Sequence, residues 1–219
     1  MCGRAAQDEF GEIEKRFNLK AGGQPPGFVP HYNVAPRMSL LTVRNDVASG
    51  ERVASLMRWG LVPAWATEAK VGDRAINARC EGLSEKPTFR SAWKAGRRCL
   101  VPLVAFYEWQ RQEGGKQPYA LGMPDGGVFG VAGIWESWRD IVSFAVITTD
   151  ANQAAAKVHD RMPVVIGADD YDAWLTGSAA IAASMLAPWS GDLKVWRVSK
   201  AINKAGSADG VGCLDEFGE

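Results

Sequence analysis

Apolar positions along this chain alternate or run in short blocks, which is the spacing of strands rather than of long helices. Residues 8–18, DEFGEIEKRFN, are the first exception: Phe10, Ile13 and Phe17 recur at helical intervals among charges and predict a short amphipathic helix. The glycines and prolines of AGGQPPGFVP end it. SLLTVR and VASLMRWGLVP then read as strands separated by the turn-like NDVASGE, and AWATEAKVGDRAINARCEGLSE reads as loop. KPTFRSAWKAG predicts a short helix that shows Phe89 and Trp93 on one face and is closed by Gly96. RCLVPLVAFYEWQ, YALGM, GVFGVAGIW, SFAVITT, MPVVI and KVWRVS are further strands. DANQAAAKV and DDYDAWL read as helices with Asp150 and Asp169 near their starts, where a carboxylate accepts from unpaired backbone N–H groups. Many strands with only short helices between them argue against a regular βαβ array. The expected class is α+β, with a mixed, largely antiparallel, barrel-like sheet and short flanking helices.

Composition narrows the picture. The 219 residues, nearly half of them hydrophobic and nine of them tryptophan, suffice for one domain with a substantial core. Basic and acidic residues balance at 25 each, so a nucleic-acid footprint has to be local. Between residues 70 and 111 nine basic side chains face four acidic ones, with Trp59, Trp65, Phe89 and Trp93 interleaved or adjacent. That mixture suits a groove that tracks a phosphate backbone and stacks unpaired bases. A charged face over a tryptophan-rich core has the same composition. No apolar run reaches the roughly 20 residues of a membrane span, and the first residues lack a signal-peptide apolar region, so a cytoplasmic protein is expected. Cys2, Cys80, Cys99 and Cys213 have neither zinc-site spacing nor disulfide-scaffold density; reduced thiols and no metal are expected. Residues 206–219, glycine-rich and acidic, read as a loosely held tail after a domain spanning 1–205.

Five segments place polar groups in apolar surroundings: MCGR, YNVAP, INAR, FYEW and VHDRMP. Glu108, if turned inward from its aromatic strand, has a raised pKa and serves as a proton donor near neutral pH; strand alternation alone equally allows it to face solvent. His159, beside Asp160 and Arg161, suits proton transfer or simple capping. His31 reads as a loop residue. Asn77 and Arg79 suit orienting a substrate and holding a phosphate, or a turn and a surface charge. Cys2 is distinctive because loss of Met1 puts a free α-amine, with a pKa near ~8, beside a thiol on one residue. With an aldehyde that amine forms a Schiff base, and the thiol then closes a thiazolidine. Alternatively the amine is general base to its own thiol, as in amidohydrolases with an N-terminal nucleophile.

Taken in order, MCGR, YNVAP, RWGLVPAW, INARCE, FYEW and HDRMPV resemble the SOS response-associated peptidase (SRAP) family of abasic-site processing proteins, nearly end to end. The resemblance implies that Cys2, once Met1 is removed, crosslinks covalently to the ring-opened aldehyde of an abasic site in single-stranded DNA. It implies that Asn77 positions the sugar and amine, that Glu108 is the acid/base for ring opening, and that His159 moves protons in the Schiff-base, AP-lyase or reversal steps. Arg4, Arg79 and Arg161 match phosphate-holding positions; Pro36, Trp65 and Phe89 fall in segments that meet the nucleic acid. A self-processing peptidase activity is implied as well. Members often carry a second aromatic after the tryptophan of PAW and a bulky apolar residue before the phenylalanine of TFRSAW, where this chain has Ala66 and Thr88. The expected protein is therefore a cofactor-free monomer of the DNA-damage response that joins the nucleoid when bound to damaged DNA. The competing readings are an amidohydrolase with incidental DNA binding, and a noncatalytic single-strand binding module that tolerates loss of Cys2.

Overall fold

Five long apolar strands dominate the computed structural model, which describes residues 2–19, 23–206 and 208–218. They are β3 (Ser39–Asn45), β4 (Arg52–Trp59), β6 (Arg98–Leu103), β9 (Phe129–Trp138) and β10 (Ile141–Asp150). β10 pairs with β4, β4 with β3, β3 with β6, β6 with β9 and β9 again with β10, so the ring closes into a barrel. Only β10 against β4 is parallel within that ring. Closure removes the exposed edges these apolar strands would otherwise present. Three short strands extend β10 and β9: β5 (Asn77–Arg79) runs parallel to β10, while β11 (Arg161–Pro163) and β12 (Val165–Ile166) are antiparallel to β10 and β9. A second, fully antiparallel sheet has the order β13-β8-β7-β1-β2, from β13 (Lys194–Arg197), β8 (Gly115–Gly122), β7 (Ala105–Gln112), β1 (Ala5–Gln7) and β2 (His31–Val34).

Alternation along the barrel strands feeds two cores. Leu100, Ala132, Ile134, Ala145 and Ile147 pack with Phe10, Ile13 and Phe17 of α1 (Phe10–Phe17), Trp93 of α2 (Arg90–Lys94) and Tyr171 and Trp174 of α3 (Tyr171–Thr176). Cys99, Val101, Val131, Phe144 and Val146 point the other way, into a cluster that holds Met57, Trp59, Phe106 and Cys2. The amphipathic reading of residues 8–18 is realised in α1, which ends where Asn18 turns left-handed (φ 50°). Gly96, at φ 66°, ends the turn after α2 as expected. Trp174 is fully buried and its indole N–H donates to Cys99 O at 2.9 Å; Arg98 beneath it donates to the carbonyls of Trp174 and Gly177 at the end of α3. Replacing Trp174 with alanine is expected to cost about 3–5 kcal/mol, read from urea melts, because cavity and lost hydrogen bond add.

Several local expectations yield to long-range pairing. INAR is not loop: Asn77, Ala78 and Arg79 form β5 by pairing with Val146, Ile147 and Thr148. RCLVPLVAFYEWQ is two strands, broken where Val104 donates its N–H to Ala6 O and the chain changes sheets. DANQAAAKV is not an α-helix. β10 runs on to Asp150 because Arg161 pairs with it there, and only one 3-10 turn (Ala155–Lys157), begun by Asn152 Oδ1 accepting from Ala155 N–H, fits the return. Asp150 therefore ends a strand instead of starting a helix, and Asp169 lies in a 3-10 turn before α3. His31 belongs to β2 rather than a loop, and α4 (Ala179–Ser184), capped by Ser178, is a further helix without an apolar period of its own in the sequence. Beyond residue 205, Cys213 is buried, Trp196 donates to Leu214 O at 2.8 Å and Phe217 N–H donates to Arg197 O at 2.8 Å, so residues 213–217 are fastened to the second sheet.

Candidate active site

The short strand β1 is what brings the first residues to the chemistry. Ala5 pairs with Phe106 and Ala6 with Ala105, and Tyr107 N–H donates to Arg4 O at 3.0 Å, so the chain start lies along β7. Parity on β7 then settles the orientation of Glu108. It shares the face of Phe106, in the Cys2 cluster, whereas Tyr107 faces the other core. Glu108 is 4% exposed, and burial raises its carboxyl pKa, an effect the nearby His159 partly opposes. Cys2 is fully buried, and burial raises its thiol, as does the neighbouring Glu108 carboxylate. From the barrel side, Asn77 on β5 donates through Nδ2 to Cys2 O at 2.6 Å. Its Oδ1 is buried and has no hydrogen-bond partner among the described residues. Cys2, three residues before β1, thus meets Asn77 of β5 and Glu108 of β7.

His159 stands just before β11. Its Nδ1 lies 3.0 Å from the Arg161 N–H and 2.8 Å from Asp160 Oδ1. Three hollows meet at these side chains. One of about 580 Å³ is lined by Arg4, Glu108, Trp109, Arg111, Lys116, His159 and Asn203. A second, about 470 Å³, shares His159 and adds Arg79, Asp150, Asp160 and Arg161. A third, about 700 Å³, shares Arg79 and includes Lys70, Arg74, Asn77, Lys86, Thr88 and Phe89.

The sequence model for the family described as SOS response associated peptidase (SRAP) matches residues 1–205. The chain belongs to the SRAP family. It is 36% identical over 214 residues to the abasic site processing protein YoqW of Bacillus subtilis, covering 93% of this chain and 94% of that one. The abasic site processing protein HMCES of Gallus gallus is 32% identical over 223 residues, covering 80% of this chain and 65% of that protein. Among solved structures, a Bordetella bronchiseptica protein matches with TM-score 0.78 at 26% identity over 91% of this chain and all of the other. A Bacteroides thetaiotaomicron protein has the same fold, with TM-score 0.85 at 22% identity over 99% and 100%.

Other candidates of this SRAP chain fall into different environments. Arg161 is buried and donates through Nη1 to Glu81 (2.5 Å) and Asp150 (2.7 Å), and through Nη2 to Glu81 (3.0 Å) and Thr148 O (2.9 Å). These bonds tie β11 to β10 and to the turn after Arg79, and they hold the guanidinium firmly protonated. Arg4 lies over the Trp109 ring and donates to Asn33 Oδ1 at 2.6 Å and Ile202 O at 2.7 Å. Arg79 is exposed. Trp65 is 57% exposed and anchored by its indole to Pro87 O at 3.1 Å; Pro36 is half-buried. Phe89 is 6% exposed and belongs to the helix-bearing core, and it also lines the hollow shared by Asn77 and Arg79. Ala66 is buried and accepts from the Trp138 indole at 2.7 Å. Trp109, Arg111, Lys116 and Asn203 line the Glu108 hollow without having been singled out. The charge excess over 70–111 included Arg111 only in bulk, Trp109 lay inside the FYEW motif without a role of its own, and Lys116 and Asn203 carried no signal.

Proposed function

We propose that this chain processes abasic sites in single-stranded DNA by capturing them covalently at Cys2. After Met1 is removed, the free amine adds to the aldehyde carbon of the ring-opened sugar and water leaves to give an imine. The Cys2 thiol then adds to that carbon and its proton ends on the nitrogen, closing a thiazolidine; the net change is loss of one water. Asn77 carries the reading: one end of its amide holds the Cys2 carbonyl at 2.6 Å, and the other is a buried acceptor that an amine on the same residue would satisfy. Glu108, its pKa raised by burial, keeps a proton to give to the sugar ring oxygen or the departing hydroxyl. His159, at the rim of the same hollow, suits removal of the proton next to the imine carbon, the step that expels the 3′ phosphate in an AP-lyase reaction. Removal of Met1 by the protein itself is the peptidase capacity in this reading.

Intact-protein mass spectrometry after mixing Met1-free protein with an oligonucleotide bearing one abasic site tests the central claim. The expected product has the summed mass less one water and is absent with undamaged DNA. Folded, correctly processed protein that forms no adduct would overturn the reading. The line of hollows carries Arg79, Lys86, Lys116 and Arg111, which supports phosphate contacts on both sides of the lesion. Arg79→Ala and Lys86→Ala are each expected to weaken single-strand binding without regard to sequence. Each should flatten the slope of log affinity against log salt by about 0.7 per lost contact, measured by fluorescence anisotropy.

A further inference from the structure

Asp209 lies beyond residues 1–205, the stretch matched by the family model, yet it is wired to the catalytic hollow. β2 is the edge strand of the second sheet, and its register against β1 slips: Ala5 pairs with Val34 but Gln7 with His31, so β2 carries one extra residue. Such a bulge disrupts the ladder locally and leaves N–H groups in need of another acceptor. Asp209 supplies it. Its Oδ1 accepts from Tyr32 N–H at 2.6 Å and Asn33 N–H at 3.0 Å, and its Oδ2 pairs with His31 Nδ1 at 2.5 Å. The Asn33 side chain, which donates to Ala208 O at 2.8 Å, holds Arg4 through its Oδ1. Arg4 is also held by Ile202 O and lies over Trp109, whose indole donates to Asn203 Oδ1 at 2.7 Å. Arg4, Trp109 and Asn203 are three of the side chains that wall the Glu108 and His159 hollow.

We propose that Asp209 is a positioning residue, and that Ile202, Asn203, Ala208 and Asp209 together clamp the bulged edge strand so that Arg4 and Trp109 form a fixed wall against the reacting sugar. The inference rests on the abasic-site reading above. Asp209 touches no reacting atom; it acts through Asn33 and Arg4. Loss of a wall held at this distance slows a positioned reaction without removing its nucleophile or its acid.

The test compares Asp209→Ala and Asp209→Asn in the full chain, below the melting temperature of both, on an oligonucleotide with one abasic site. Asp209→Ala is expected to slow adduct formation roughly tenfold while affinity for an undamaged strand stays that of the wild type. Asp209→Asn keeps an oxygen for the Tyr32 and Asn33 amides and should recover most of the rate. A wild-type rate in Asp209→Ala would overturn the clamp. So would rate and undamaged-strand affinity falling together, or Asp209→Asn as slow as Asp209→Ala. An independent readout is the Trp109 indole N–H resonance, assigned with Trp109→Phe, which should shift in Asp209→Ala. An unmoved resonance overturns the clamp even if the wild type forms no adduct, a result that would itself strike only the abasic-site reading.

Discussion

The Cys2→Ala variant is expected to form no stable adduct with abasic single-stranded DNA under conditions where the wild type is converted completely. Prepared free of Met1, the variant still presents an α-amine, so the imine remains accessible. What it lacks is the thiol that closes the ring. Borohydride reduction should therefore trap a protein–DNA species in Cys2→Ala, while without reductant denaturing gels should show none. This separates the thiazolidine from simple Schiff-base chemistry. A stable adduct in Cys2→Ala would transfer the covalent bond to another residue and sink the proposed role of the aminothiol. Folding is not in question: the substitution removes a single sulfur atom from a buried site and should cost about 1 kcal/mol. An amidohydrolase would instead turn over an amide with no DNA present.

Glu108→Gln carries the next largest effect. Loss of a positioned general acid is expected to slow adduct formation about 10²- to 10⁴-fold, measured by quenched-flow or gel time courses. The pH dependence distinguishes an acid from a mere shape-filler. Burial raises the folded-state pKa of Glu108, so its proton persists above the range in which an exposed carboxyl has ionised. The wild-type rate should fall as pH climbs through that raised value, and Glu108→Gln should lack this limb. Stability follows the same sign. The contribution of a neutral buried carboxyl is fully present below its unfolded-state pKa and is lost as pH rises through the folded one. Glu108→Gln should therefore gain on the wild type in urea melts as pH rises, even as it loses activity. A pH–rate profile of unchanged shape in Glu108→Gln would remove Glu108 from the proton transfer.

The helix of residues 10–17 and the main strands were legible because their signals are local: a repeat of three to four for Phe10, Ile13 and Phe17, and short continuous apolar runs along the barrel strands. β1 and β5, of three residues each, are too short to display a period at all. They exist because a neighbouring strand offers a ladder. DANQAAAKV has the composition of a helix, yet the pairing of Asp150 with Arg161 fixes where its chain must return and leaves space for a single turn. The arginines of MCGR and HDRMP show the same limit. Their residue type suits a phosphate, but Arg161 meets Glu81 and Asp150 and Arg4 meets Asn33, partners 11 to 80 positions away.

By itself the sequence determined the fold class, the family motifs and the uncommon chemistry open to an N-terminal cysteine. Those follow from residue type and short-range spacing. Tertiary structure alone decided that Glu108 turns inward, that the Asn77 amide reaches the Cys2 carbonyl, and that residues 208–209 fasten the strand beside Arg4. The reason is physical: a strand's two faces are equivalent until a partner's register assigns one of them to the core. The registers that matter here, Ala5 with Phe106 and Asn77 with Val146, join residues about 70 to 100 positions apart.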